Sequence, residues 1–508
     1  MNGVIEQVSA QKSIKKNFVL NALLTISAII FPFISSPYVM RVLGPDGMGK
    51  VDFACSNISY FSLLAQLGIP TYGVKACAQV RDNKIELART VKELLVINLV
   101  MTLISYALFI PTLFFLPQFS NEKILYIIIS STLLFNAIGI EYLYKGLEQY
   151  GYITARSIAF KFVAFGALFF LVRAKSDYAI YGAISIFAAS ASNILNFFHS
   201  RSLISFKNIG KCNYRRHFKS IFLYFAMSCT TTIYLNMDRT MLGFMTTDAD
   251  VGYYGASIKI KSILVALVTS LGAVLLPRAS YYVEHKLYDD FLRINGKALH
   301  FVFVVATPLT LFFILFAREG ILFVSGEEYL NAITPMAVIV PTVLFIGITN
   351  VLGIQVLVPL GKEKYVLYSE IAGAITDLIL NIILIPKYKA TGAAIGTLAA
   401  ELVVLIVQLY LLNGMREEIP FLDHFKKIKY GKLVLALVFA APASLWVKFV
   451  RISFFEGKVL LHSFVLLALS GMTFFGIYYV IMMLTKDKMM LEITDTVIGK
   501  LKKRKATA

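Results

Sequence analysis

Little in this 508-residue chain could serve a soluble enzyme. Only 16% of its residues are charged, and its four cysteines (Cys55, Cys77, Cys212, Cys229) show no C-x-x-C or other paired spacing. That excludes a disulfide framework and a cysteine-built metal centre as organising features. No Walker A or other nucleotide-binding loop occurs, which argues against direct ATP drive. No histidine cluster, Ser-His-Asp set or pair of acids on one face offers catalysis, so no enzyme and no cofactor is expected. No stretch between apolar runs exceeds about 25 residues, too short for an extramembrane catalytic domain. Acidic residues are scarce as well, 30 against 49 basic, leaving a net charge of +19. In a soluble protein that excess would suggest nucleic acid. Here it reads as basic loops facing an anionic membrane leaflet, with no nucleic-acid partner.

What the chain does have is apolar sequence, 58% of residues, with a mean hydropathy of +0.72. Roughly fourteen apolar runs follow one another, each about 20 residues long, the length of helix that crosses a hydrocarbon layer. Phe18–Met40, Leu94–Leu116, Ile124–Tyr142, Thr391–Leu412 and Leu461–Leu484 are clear cases. They are apolar on every side, so none can be a soluble surface helix. The expected fold is an all-α polytopic membrane protein. The polar stretch Met1–Lys16 precedes an apolar run too long for a signal-peptide core, so Phe18–Met40 is expected to be a retained first helix.

Basic residues divide by alternate loop. The two tails and the regions 70–92, 144–156, 199–220, 278–298, 361–364 and 415–432 hold 34 Lys and Arg, the opposite loops 12. Lys161, Lys259 and Lys261 fall inside spans and complete the 49. The bias predicts an even number of spans with both termini in the cytoplasm.

The chain also repeats itself at a spacing of roughly 200–215 residues. Arg41-Val-Leu-Gly44-Pro-Asp46-Gly-Met-Gly49 follows the first span; Arg239-Thr-Met-Leu-Gly243, then Asp250-Val-Gly252, follow the seventh. Gly146-Leu-Glu148-Gln-Tyr150 precedes the fifth and Gly361-Lys-Glu363-Lys-Tyr365 the eleventh. Gly182-Ala183 and Gly392-Ala393 open the sixth and twelfth. Six helices per copy keep both copies in one orientation. The expectation is two six-helix lobes, 1–210 and 211–415, related by a pseudo-two-fold axis along the membrane normal. Residues 416–508 then supply two further helices and a basic tail.

These motifs, with Asp238-Arg239 and Ser325-Gly-Glu-Glu-Tyr-Leu-Asn-Ala332, resemble the multidrug/oligosaccharidyl-lipid/polysaccharide exporter superfamily. More narrowly, the chain resembles its polysaccharide repeat-unit flippases of O-antigen and capsule assembly. The resemblance implies transport of an undecaprenyl-diphosphate-linked oligosaccharide from the cytoplasmic to the outer leaflet of a bacterial cytoplasmic membrane. It also implies alternating access driven by a cation gradient, H+ or Na+, with polysaccharide assembly enzymes as partners. A lipid II flippase, a multidrug/cation antiporter and a membrane-embedded polysaccharide polymerase or ligase are the alternatives, the last disfavoured by the short outer loops.

Ionisable groups inside spans are costly and so are functional candidates. Lys161 and His300 lie near cytoplasmic helix ends, where snorkelling is the first reading. Lys259 and Lys261, one to two turns below the outer face, are about 200° apart and point to nearly opposite sides. A diphosphate must shed hydration to cross, and fixed cations facing a wet chamber between the lobes would offset that loss. Arg41, Lys161, Arg239, Lys259 and Lys261 are therefore the candidates for headgroup binding. An ion pair with Asp238 that merely ties helices together is the structural alternative. Asp377, with Asn381 one turn on, and Glu401 lie near the midplane. A carboxylate so deep pairs with a cation, holds a proton or coordinates sodium, which makes these three the candidates for ion coupling. An interhelical hydrogen-bonding role stands beside that reading. Pro335, Pro341, Gly347 and Gly353 predict a bent tenth helix. Ile321–Tyr329 is expected to be a short interfacial helix, and Tyr60 or Tyr234 could stack on a sugar.

Overall fold

The computed structural model describes residues 2–207, 209–417, 419–449 and 459–495. The basic tail expected at 496–508 and the side chains of Lys12, Lys15 and Lys16 lie outside the described residues. Among the described residues the chain forms helices and no strands. Eight helices are long and apolar enough to cross a membrane, nine with the bent pair Glu327–Ile339 and Thr342–Leu357. Shorter apolar helices occupy Lys123–Ile138 and Tyr430–Trp446, and Arg215–Met245 forms the seventh expected span. Two of the long helices are each two spans joined at a break. Asn2–Gln66 breaks at Gly44 (φ 68°) and Glu363–Asn413 at Lys389 (φ 52°). The fourteen expected segments are thereby accounted for, in a polytopic membrane protein of two lobes.

Each break has a local cause. Gly44 takes a positive φ open to glycine, and Pro45 after it disfavours helical backbone at Gly44. Residues 41–50, expected as a loop, are otherwise helical around this single kink. The tenth helix bends by 42° at Pro341, which has no N–H to continue the ladder. The span expected over Ile124–Tyr142 stops at Ile138, because Ile140 takes a positive φ (34°) and Asn196 Nδ2 donates to the Gly139 carbonyl at 2.8 Å. Ala317–Val324 is a short helix with Ile321 and Val324 buried, too short to span.

Contacts divide the chain into Met1–Gly252 and Tyr253–Ala508. In the first unit, helices pair in parallel as alternating spans require. Thr154, Lys161 and Tyr38 bond to Leu20, Ser27 and Val172, so the first and fifth spans run side by side in one direction. Loops assigned to one side by charge meet one another. Arg81 pairs with Glu148 at 3.2 Å and Arg89 Nε donates to the Ile209 carbonyl at 2.7 Å. At the other end, Lys50 pairs with Glu122 at 2.5 Å, and Tyr178 donates to the same carboxylate at 2.7 Å.

The two glycine motifs of the repeat meet at that second end. A Cβ on Gly49 would lie 1.7 Å from the Asp248 carbonyl oxygen, and one on Gly252 would lie 2.1 Å from that of Pro45. Backbone touches backbone there, which explains glycine in both copies without appeal to function. Phe53 fills the space that a side chain at Gly243 would take and stacks edge-on against Phe244.

In the second unit, Glu363–Asn413 folds on itself. Gln408 Nε2 donates to Ser369 Oγ at 3.2 Å, and Gly396 faces Asp377 and Asn381. The helix Asp248–Glu284 opens earlier than expected because Thr247 caps it: the Thr247 hydroxyl accepts from the Asp250 N–H (3.4 Å) while the Asp250 carboxylate accepts from the Thr247 N–H (3.4 Å). Lys259 and Lys261 consequently lie about three turns into the helix rather than one or two.

Candidate functional site

The first unit encloses a cavity of about 430 Å³ whose described lining carries no charge. Its walls combine apolar residues such as Ile58, Leu63, Ile129 and Leu235 with polar residues at helical spacing. Ser59, Ser62 and Gln66 come from one helix, Thr132 and Asn136 from Lys123–Ile138, and Ser228, Thr232 and Asn236 from Arg215–Met245. Offsets of three and four residues put each set on one face. Several donors are already used. Gln66 Nε2 donates to Ser62 Oγ (2.6 Å), Asn236 Nδ2 to the Thr232 carbonyl (2.9 Å) and Asn193 Nδ2 to Asn136 Oδ1 (3.3 Å). Gln66 and Asn236 thereby present their carbonyl oxygens as fixed acceptors for hydroxyl groups, whereas the Asn136 oxygen is already an acceptor and leaves that residue its N–H groups to offer.

Of the candidate cations in this unit, Arg239 stands beside the cavity without being one of its lining residues. It is three residues beyond Asn236 on the same helix and acts electrostatically on Cys55, which lines the wall. Its Nε is buried without a hydrogen-bond partner among the described residues. Lys161 belongs to a second cavity of about 310 Å³, walled mainly by apolar residues such as Phe31, Phe165 and Ile184. Its ammonium is buried and donates to Ser27 Oγ at 2.8 Å. That fixed bond replaces the snorkelling expected from sequence. A π-helical turn, Phe187–Ala191, contributes Ala188 and Ala189 to this second cavity, and Ile186 just before the turn lines the first. π-turns recur at functional sites because they re-aim side chains within a helix. Arg41 lines neither cavity; its guanidinium donates to the Pro37 carbonyl one turn back. Lys259 and Lys261 are half-buried in the helix Asp248–Glu284. His300 pairs with Asp487 at 3.2 Å; it lies about three turns into the helix Tyr288–Leu315 rather than near its end as expected.

The candidate acids form a separate feature of the second unit. Asp377 is buried and accepts from Asn381 Nδ2 at 3.2 Å, as the one-turn spacing predicts. Glu401 is buried on the returning helix of the same hairpin and interacts electrostatically with Glu370. Gly396 packs directly over Asp377 and Asn381: a Cβ there would come within 2.8 Å and 2.4 Å of their oxygens. The pair is therefore sealed by backbone on that side.

The family of proteins described as "Polysaccharide biosynthesis protein" matches residues 14–283, more than half of the sequence. The chain belongs to this polysaccharide biosynthesis family. Among its relatives, proteins named "Putative O-antigen transporter" from Escherichia coli (strain K12) and Shigella dysenteriae are 24% and 26% identical. Those matches cover 79% and 78% of this chain and 97% and 99% of the relatives. Among solved structures, the inward closed lipid II flippase MurJ superposes with a TM-score of 0.66 at 16% identity, over 90% of this chain and 99% of that one. An inward-facing multidrug resistance transporter of the MATE family gives 0.63 at 13% identity, over 78% and 95%. The fold is thus that of the superfamily named by the glycine motifs, and this is a multi-pass membrane protein of polysaccharide biosynthesis.

Two features of this family member are not among the residues singled out by charge inside a span. The first is the neutral cavity, whose polar residues were legible as i, i+3, i+4 and i+7 spacings. The second is a cluster around fully buried Glu93. Its carboxylate accepts from the Asn213 N–H (2.6 Å), Arg216 (2.7 Å) and His217 Nε2 (2.7 Å), while Tyr72 meets His217 Nδ1 at 2.8 Å. These partners lie about 120 residues away in sequence, so no local spacing reveals them. The cluster pins the segment entering Arg215–Met245, the helix that carries one wall of the cavity.

Proposed function

We propose that the protein is a flippase that moves an undecaprenyl-diphosphate-linked oligosaccharide repeat unit from the cytoplasmic to the outer leaflet of a bacterial cytoplasmic membrane. The observation that carries this reading is the neutral, hydroxyl- and amide-lined cavity beside Arg239. A glycan offers many hydroxyls and needs fixed partners for them once it leaves water; fully charged walls would instead hold a drug cation or an anion. Arg239 and Lys161 are the cations suited to the diphosphate, each at or in a cavity. Arg41, Lys259 and Lys261 take a supporting part in the field that the anionic headgroup meets. Asp377, held by Asn381, and Glu401 are the groups for ion coupling, with H+ or Na+ as the driving ion and alternating access as the cycle. Membrane lipids surround the chain, both termini are cytoplasmic, and polysaccharide assembly enzymes act before and after it. The relatives named as O-antigen transporters support this assignment over catalysis.

The test is leaflet exchange in proteoliposomes. Purified protein should render a fluorescently tagged, polyprenyl-diphosphate-linked oligosaccharide in the inner leaflet accessible to an external glycosidase, faster with an imposed cation gradient. Lipid II run in parallel should exchange more slowly. Exchange of lipid II alone would assign the protein to peptidoglycan assembly, and release of chain-extended glycan would make it a polymerase.

A further inference from the structure

The second unit contains a charged pocket, remote in sequence from the residues given to transport above. It has a volume of about 450 Å³, within the roughly 300–1,000 Å³ typical of small-ligand sites. Three separate segments build it. The opening turns of the helix Tyr288–Leu315 present Asp289, Arg293, Lys297 and His300 at helical spacing. The short helix Asp423–Lys427 brings His424 and Lys427, and the helical segment that follows the turn after Val459–Leu484 brings Lys488 and Glu492. All three segments belong to loops that the charge count assigns to one side of the membrane.

The pocket is shaped rather than incidental. The His424 ring rests against Gly296, where a Cβ would lie 2.0 Å from a ring carbon. Asp487 accepts from the N–H groups of Met489 and Met490 (3.0 and 3.2 Å) and pairs with His300 at 3.2 Å, which fixes the segment carrying Lys488.

Four cations and two carboxylates line the pocket, with Asp290 and Asp487 beside the lining, and the two lysines Lys427 and Lys488 are exposed at its mouth. Lys297 is offset by Glu492 at 2.7 Å and Arg293 by Asp290 at 2.5 Å. Lys427 and Lys488 have no carboxylate within ion-pair distance among the described residues. His424 Nδ1 is also buried without a hydrogen-bond partner there. Burial lowers the His424 pKa and Lys427 lowers it further, against smaller opposing effects of the Phe421 backbone and Asp423. Two unpaired ammonium groups beside an arginine fork are suited to a tetrahedral dianion or a phosphodiester rather than to a neutral ligand. Just inward of the pocket, Phe303 packs against Phe425 and Tyr430 (6.1 and 5.4 Å), an arrangement that suits the headgroup layer.

We propose that this pocket binds a phosphate group, that of an anionic phospholipid headgroup, clamped by Lys427 and Lys488. The bound phosphate ties together the segment before the helix Tyr430–Trp446, the segment after Val459–Leu484 and the start of Tyr288–Leu315. It thereby fastens the last two helices to the rest of the second unit.

The test is the melting temperature of the full chain in a neutral detergent with added phosphatidylglycerol, phosphatidylcholine or inorganic phosphate. Phosphatidylglycerol should raise it by about 2–4 °C and phosphatidylcholine should not. The rise should vanish in Lys427→Gln/Lys488→Gln and persist in Lys427→Arg/Lys488→Arg. It should also persist in Lys219→Gln/Lys364→Gln, which removes two exposed lysines elsewhere. An equal rise with inorganic phosphate assigns the pocket to free phosphate. If the glutamine pair proves too unstable to purify, native mass spectrometry of Lys488→Gln should show weakened retention of phosphatidylglycerol. No rise with any phosphate ligand, or the same rise in the glutamine pair as in the parent, overturns the proposal.

Discussion

Two cavities of nearly equal volume, about 430 and 450 Å³, have opposite linings. The one in the first unit uses serine, threonine, asparagine and glutamine within apolar helices. The one in the second unit uses lysine, arginine, histidine and acids at helix ends. The difference follows from the cost of charge. A Lys, Arg or Asp at mid-membrane costs about 2.5–3.5 kcal/mol on insertion scales, whereas near a helix end it reaches headgroups and water. Neutral hydrogen-bonding groups can be kept at depth if they bond to their own helix, as Asn236 does to Thr232. Sugar recognition can therefore be built deep in this protein from groups that are cheap to bury, and phosphate recognition where solvent lowers the cost.

The sharpest test of that contrast is removal of a buried charge that does have partners. Glu93→Ala strips Arg216, His217 and the Asn213 N–H of their common acceptor and should destabilise the protein by about 3–5 kcal/mol, read from denaturant titration in detergent. Little change would mean that this helix end is wetter than its burial implies. Next comes a charge placed where none belongs. Ser62→Asp in the neutral cavity should cost about 2–3 kcal/mol and abolish glycolipid exchange, whereas Ser62→Thr should be tolerated. A tolerated aspartate would break the comparison.

Smaller effects separate the proposed roles. Asp377→Asn should lose ion-gradient dependence and about tenfold in driven exchange, with little loss of gradient-free exchange; normal coupling would remove Asp377 from that role. Asn236→Ala removes one fixed acceptor and should slow exchange about three- to tenfold, the equivalent of about 1 kcal/mol, with unchanged melting. The Lys427 and Lys488 variants, which act on stability, should leave exchange within about twofold.

Span positions and alternation were legible in the sequence because membrane burial imposes length and all-round apolarity. The bend at Pro341 was legible too, whereas at Gly44 a loop was expected and a single kink in a continuing helix is found. Asp377 and Asn381 meet as their spacing requires. Contacts made across long sequence separations were not legible. Nothing local ties Glu93 to His217, or shows that the Gly49 and Gly252 motifs pack against each other. Charge inside a span singles out Arg239 and Lys161 as candidates, whereas Ser59, Ser62, Gln66, Thr232 and Asn236 give no such signal, because each alone is ordinary in a membrane helix. Only their shared faces, read together, mark a wall.

Cys55 allows the central claim to be tested directly, since it lines the neutral cavity in the native sequence. A small water-soluble maleimide should label it in membranes, with the adduct located by peptide mass spectrometry. Lipid-linked oligosaccharide should slow that labelling, while undecaprenyl phosphate without a glycan should leave it unchanged. Labelling that is indifferent to the glycan would contradict the assignment of this cavity as the sugar's seat.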